Sequence, residues 1–169
     1  GIDEFKRQVE ADWTDLKDGS GTLTAEEVER VAGCFTDPAY ETLSNHDSTI
    51  SAYKADSRPF THWVMRNVRP HRVPGYVSVV LSLKKPGCTP GDATAEQMEA
   101  IADLADRYSF GELRVTHKQN LVLADVRQKD LIQLWQEATA LELASPNIGL
   151  LTDIISCPGA EFCTLANAR

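Results

Sequence analysis

From Tyr76 onward the apolar residues of this chain fall on every second position. Val77, Val79, Leu81 and Leu83 lie on one side, and Ser78, Val80, Ser82 and Lys84 on the other. Successive strand side chains point to opposite faces, so a period of two means a β-strand with one face buried. After a Pro/Gly loop (85–91) the period changes. Thr94-Ala95-Glu96-Gln97 has the form of a capping box and opens a helix carrying Met98, Ile101, Ala102, Leu104, Ala105 and Tyr108. Leu113 and Val115 then alternate with Arg114 and Thr116, His117-Lys118-Gln119 reads as a tight reversal, and Asn120 to Ala124 as a second short strand. A helix with Leu131, Leu134, Trp135 and Ala138 follows, and the apolar run Ile148 to Ile155 reads as the last strand.

The order is therefore β-α-β-β-α-β, the ferredoxin-like split βαβ pattern of an α+β fold. Both helices are expected on one sheet face. The other face would carry Ser78, Ser82, Lys84, Arg114 and Thr116, a polar, cationic surface to be covered by a ligand or another domain.

The front of the chain reads differently. Ile2, Phe5, Val9, Trp13 and Leu16 recur every three or four residues, as on an amphipathic helix. Lys17 to Gly21 ends it, and Thr24-Ala25-Glu26-Glu27 caps a second helix through Val28, Val31 and Phe35. A calcium loop starting at Asp15 or Asp18 fails, because Ser20 or Leu23 would stand where its glycine belongs. Residues 36–58 are polar without a sustained period and read as a linker. A short helix with Phe60, Trp63 and Val64 follows, then an irregular segment over 67–75 stiffened by Pro70 and Pro74. The expected domains are a helical appendage over 1–58, the ferredoxin-like half-domain over 59–156, and the start of a further domain over 157–169.

Charge narrows the partners. The net −8 sits almost wholly in residues 1–58, with 13 acidic against 6 basic side chains, while 57–91 holds no Asp or Glu at all. That acid-free window carries Arg58, Arg66, Arg69, Arg72, Lys84 and Lys85 with His62 and His71. An acidic chain argues against nucleic acid, and a compact polyanion suits the window better. No apolar run reaches the roughly 18 residues of a membrane span, and the acidic Gly1-Ile2-Asp3-Glu4 is unlike a signal peptide. The expectation is a cytoplasmic protein that binds neither nucleic acid nor membrane.

Four cysteines are too few for a disulfide scaffold in a chain of this length. Cys34 reads as a small core residue on a helical face, and Cys88 as a loop thiol. Cys157 and Cys163, five residues apart around Pro158-Gly159, are the pair close enough for joint work. Their spacing is not the two-residue gap of a thioredoxin motif, and zinc or an iron–sulfur cluster would need four ligands.

Leu113-Arg114-Val115-Thr116-His117-Lys118-Gln119-Asn120-Leu121, followed by Cys157-x5-Cys163-x-Leu165-Ala166, resembles the sulfite/nitrite reductase hemoprotein family. Asn67 to Tyr76 and Gly91-Asp92-Ala93-Thr94 resemble the same region of its single-chain bacterial members. The resemblance covers residues 60–169 and favours the second, C-terminal half-domain. It implies a piece of an enzyme reducing sulfite to sulfide or nitrite to ammonia on siroheme coupled to a 4Fe–4S cluster. Cys157 and Cys163 match the first two cluster ligands. Arg114, Thr116, Gln119 and Asn120 match the motif against the siroheme edge, and Lys84 stands where a sheet residue faces the same cavity. Implied partners are the remaining domains of the enzyme and an electron donor, either ferredoxin or an NADPH flavoprotein. The second cysteine pair of the family is missing, so this chain alone is expected to hold neither cofactor and to be inactive. The competing expectation is a non-enzymatic α+β interaction module with incidental cysteines.

Overall fold

A computed structural model describes residues 1–157, 159–161 and 163–167, with Glu161 described by its backbone alone. Two compact units result, Gly1–Ala39 and Tyr40–Arg169. The first holds α1 (Ile2–Leu16) and α2 (Ala25–Gly33), the latter capped by Thr24, whose hydroxyl accepts the Glu27 N–H at 3.2 Å. Both helices expected there form. Their apolar stripes, however, stay exposed along Phe5, Val9, Trp13, Val28 and Phe35. Cys34 is exposed as well, not the core residue expected, with its thiol directed at the Arg30 carbonyl.

The second unit begins before the expected boundary. Residues 48–56, within the stretch read as a linker, form α3 (Ser48–Asp56), because Asp47 accepts the N–H groups of Thr49 and Ile50 at 2.8 and 3.1 Å. Its Ile50 is buried in the core. In α4 (Arg58–Asn67), Ser57 caps the start, Pro59 occupies the first turn, and Phe60 and Trp63 are buried. Phe60 meets Trp63, Tyr53 and Trp135 with ring centroids 5.0–5.9 Å apart.

The sheet has four antiparallel strands in the order β1-β2-β4-β3: β1 (Val68–Pro70), β2 (Tyr76–Leu81), β3 (Leu113–Val115) and β4 (Leu121–Arg127). Helices α5 (Ala95–Tyr108) and α6 (Leu131–Ala140) follow β2 and β4 as expected, and the Thr94/Gln97 capping box is fully formed. One core joins α4, α5 and α6 to Val77, Val79, Leu81, Leu123 and Val126, so the helices share a sheet face.

The α+β class and ferredoxin-like pattern stand, with one exchange of strands. Ile148 to Ile155 forms no strand. Gly149 takes a positive φ of 77°, and the Gly149 N–H bonds the Asp153 carboxylate, so local side-chain bonds replace a ladder. The edge place beside β2 goes instead to Val68–Pro70, in the segment read as irregular. Pro70, which has no N–H to give, is tolerated there because β1 is an edge strand.

A register shift matters for what lies behind the core. Tyr76 and Val77 pair with Arg127 and Val126, but Val79 pairs with Leu123, so Ser78 faces both Ala124 and Asp125. This β-bulge changes the phase of β4. Leu123 and Val126 both reach the core, and Asp125, which strict alternation from Leu123 would aim at it, is placed on the opposite face.

Phe60→Ala should cost about 3–5 kcal/mol of stability, since it empties a fully buried aromatic site. Phe5→Ala, at a side chain 68% exposed, should stay within about 0.5 kcal/mol. Urea unfolding of the two variants checks both; equal midpoints would mean residues 40–67 are not integral to the core.

Candidate functional site

The turn between β3 and β4 gathers the polar residues of the Arg-x-Thr-x-x-Gln-Asn stretch. Thr116 staples it: its N–H and hydroxyl both donate to the Asn120 carbonyl at 3.0 and 2.9 Å, while its hydroxyl oxygen accepts the Asn120 N–H at 3.1 Å. Gln119 sits at φ 56°, in the left-handed region that a non-glycine residue adopts at a cost.

Below the turn lies a buried polar network. The Lys84 ammonium donates to the Asp153 carboxylate at 3.0 Å and to its backbone carbonyl at 2.9 Å. Asn120 donates to the same carboxylate oxygen at 2.8 Å and accepts the Leu83 N–H at 3.2 Å. Asn147 accepts from the Ser82 hydroxyl at 2.8 Å and donates to the Lys84 and Thr152 carbonyls at 2.8 and 3.2 Å. Ser82, Lys84, Asn120, Asn147 and Asp153 are all buried. Ser82 and Lys84 therefore do not stand on an open sheet face. The strand ends at Leu81, and both side chains turn inward to meet the chain that follows α6.

Burial pushes the Asp153 carboxyl upward. The Gly149 N–H, the Asn120 amide and the Lys84 ammonium pull harder in the other direction, and its pKa falls below the ordinary carboxylate value.

Gln119 points at the cysteine loop. Its amide nitrogen donates to the Ser156 carbonyl at 2.6 Å, and its amide oxygen accepts the Ser156 N–H at 2.9 Å. Cys157 follows directly and is exposed; Cys163 is half-buried, and both are free thiols. Pro158, part of the expected Pro-Gly turn, and Phe162 lie outside the described residues. Gly159–Glu161 forms a single 3-10 turn, and the Cys163 N–H bonds the Gly159 carbonyl at 3.0 Å. Among the described residues no three His, Cys, Asp or Glu side chains come together as a metal site.

Arg114 is exposed on β3, its guanidinium paired with Glu112. That contact raises its pKa further, with smaller contributions from Asp125 and Tyr40. Those two belong to a group that pattern reading missed. Asp125, buried by the bulge, accepts the Tyr40 hydroxyl at 2.6 Å and the His71 Nε2 at 3.1 Å through one oxygen, and its second oxygen is buried without a partner among the described residues. His71 Nδ1 accepts the Val73 N–H at 2.9 Å, which makes Nε2 the protonated nitrogen of the neutral ring. Burial, then the bond to Asp125, raises the Tyr40 pKa. Residues 40, 71 and 125 are too far apart for any spacing rule; a lone Asp in an apolar strand was the available signal.

No described helix is long and apolar enough to cross a membrane.

Compared with known proteins, residues 64–141 match the family model described as the nitrite/sulfite reductase ferredoxin-like half domain. The chain is 35% identical over 74 residues to the chloroplastic ferredoxin–nitrite reductase of Spinacia oleracea, covering 43% of this chain and 12% of that protein. It is 34% identical over 76 residues to the assimilatory ferredoxin-dependent nitrite reductase of Haloferax mediterranei, covering 45% and 13%. Against the ferredoxin–nitrite reductase of Synechococcus elongatus the identity is 32% over 76 residues, covering 45% and 15%. The match thus spans about an eighth of the length of these relatives.

Removing one partner of the buried pair leaves the other charge stranded, so Lys84→Met should destabilise by about 3–5 kcal/mol in chemical denaturation. The depressed Asp153 pKa stabilises the fold fully above its unfolded value of about 3.9, and this is lost as pH falls through the lower folded value. Stability of Asp153→Asn, followed from pH 7 downward, should therefore fall less steeply below pH ~4 than that of the parent.

Proposed function

As a chain that carries the ferredoxin-like half domain of the nitrite/sulfite reductase family at residues 64–141, this protein, we propose, is part of a siroheme- and 4Fe–4S-dependent reductase. Nitrite is the preferred substrate over sulfite and ferredoxin the preferred donor over an NADPH flavoprotein, because the relatives are ferredoxin-dependent nitrite reductases. The observation that carries the reading is the position of Cys157 and Cys163: two free thiols on a loop whose first residue follows a segment hydrogen-bonded to the family's turn motif.

In this reading Cys157 and Cys163 supply two of four cluster thiolates, and further cysteines come from the rest of the enzyme. Siroheme and the cluster, when bound, would supply the electrons for reduction of the anion. Arg114 is the residue of this chain suited to the ring's carboxylates. Its bond to Glu112 is solvent-exposed and worth about 0–1 kcal/mol, so a ring carboxylate can displace it, a charge-assisted contact of about 1.5–3 kcal/mol. Lys84, Thr116 and Asn120 support the site from behind: their polar atoms are engaged within the fold. The chain on its own is proposed to be inactive. Four unpaired thiols suit a reducing compartment such as the cytoplasm.

Cys157→Ser and Cys163→Ser, each made in a protein containing this chain together with the remaining domains, should abolish iron–sulfur content and nitrite reduction. Iron content and activity equal to the parent would overturn the assignment of the two thiols as cluster ligands and leave them incidental.

A further inference from the structure

The Gln119 side chain leaves the turn and ends on the backbone of the segment that leads into Cys157. It meets both polar groups of a single residue: the amide nitrogen donates to the Ser156 carbonyl at 2.6 Å and the amide oxygen accepts the Ser156 N–H at 2.9 Å. A carboxamide offers one donor and one acceptor side by side, as a neighbouring β-strand would. Carboxylate, ammonium or hydroxyl side chains do not present that pair at neutral pH, and asparagine is a methylene shorter.

The surroundings are built around this contact. Gly91 lies against the Gln119 side chain, and a Cβ there would come within 3.1 Å of the Gln119 Cβ and 3.4 Å of its Oε1. Gly91 is itself held by its N–H on the Leu83 carbonyl at 2.8 Å. Gln119 keeps a left-handed backbone in spite of its side chain, a conformation of the kind retained only where neighbouring structure over-determines it. Ser156 is the last residue before Cys157. Upstream of it the chain is pinned by Asp153; between Asp153 and Cys157 the Gln119 contact is the tie to the turn.

We infer that Gln119 is a positioning residue for the cysteine loop, registering Ser156 on the sheet's turn and thereby setting where the Cys157 thiol starts. Its purpose rests on the cluster-ligand reading above; its measurement does not, since the thiols can be studied without iron.

The test uses the whole 169-residue chain and two variants, Gln119→Met and Gln119→Glu. Loss of both bonds in Gln119→Met should speed amide exchange at Ser156 roughly tenfold, with alkylation of Cys157 by iodoacetamide rising in parallel. Exchange at Val79 and Leu123 and alkylation of Cys34 and Cys88 should stay at parent rates, which separates this from general loosening. Gln119→Glu keeps an acceptor for the Ser156 N–H and should retain most of that protection. Parent-like Ser156 exchange in Gln119→Met would overturn the inference, as would equal loss in both variants, which would make Gln119 a packing residue only. Iron retained after Cys157→Ser in the larger protein, with Ser156 still deprotected in Gln119→Met, would overturn the cluster reading but not the contact.

Discussion

The ion pair of Lys84 with Asp153 ties three parts of the chain that have little else in common. Lys84 follows β2, Asn120 opens β4, and Asp153 lies beyond α6; all meet at one buried carboxylate. Taking two charges out of water is expensive, and their attraction offsets it only when the remaining donors and acceptors are satisfied. Here they are. Asp153 receives Lys84 and Asn120 on one oxygen and the Gly149 N–H on the other, while Lys84 has a second acceptor in the Asp153 carbonyl. Such a pair contributes register more than stability, because a slip of one residue would leave a buried charge without its partner. That requirement explains why residues 147–153 can do without a strand: their place is specified by side chains instead of a ladder.

The second sheet face depends on a different device. Strict alternation through Leu123 would bury Asp125 in the apolar core, which no carboxylate tolerates unpaired. The bulge opposite Ser78 moves it to the other face, where Tyr40 and His71 reach it. Tyr40 thereby draws the start of the second unit onto the sheet, with Tyr76 and Phe110 stacked beside it. One inserted residue thus decides both where the core ends and where the preceding segment attaches.

What could be read from the sequence followed from local, periodic signals. The alternation over 77–83, the Thr94/Gln97 box and the helical spacing of Leu131, Leu134 and Ala138 all correspond to elements formed where they were expected. What could not be read involved competition between distant groups. Ile148 to Ile155 has strand composition, yet Asn147 and Asp153 occupy the backbone groups a ladder would need. Val68–Pro70 looks irregular because of its prolines, yet an edge tolerates one. Lys84 has the right parity for an exposed face, but parity ends with the strand at Leu81. The α3 helix over Ser48–Asp56 has almost no amphipathic pattern, and only its Asp47 cap marks it. For the candidate site, the turn residues and the cysteines stood out by type and spacing, whereas the directions of Lys84, Gln119 and Asn120 are set by contacts 30 or more residues away.

Those directions change how the turn motif is understood. Thr116, Gln119 and Asn120 spend their hydrogen-bonding capacity inside the fold, on the turn itself, on Ser156 and on Asp153. Arg114, on the adjoining strand, is left facing outward. A loop free at its root loses much conformational entropy when it is ordered, and the Gln119 contact holds Ser156, the residue before Cys157, within the fold itself. Fixing Ser156 places that cost within folding, beside the buried network around Asp153. The same residues that close the sheet's turn therefore also anchor the root of the cysteine loop, and the two share one set of hydrogen bonds.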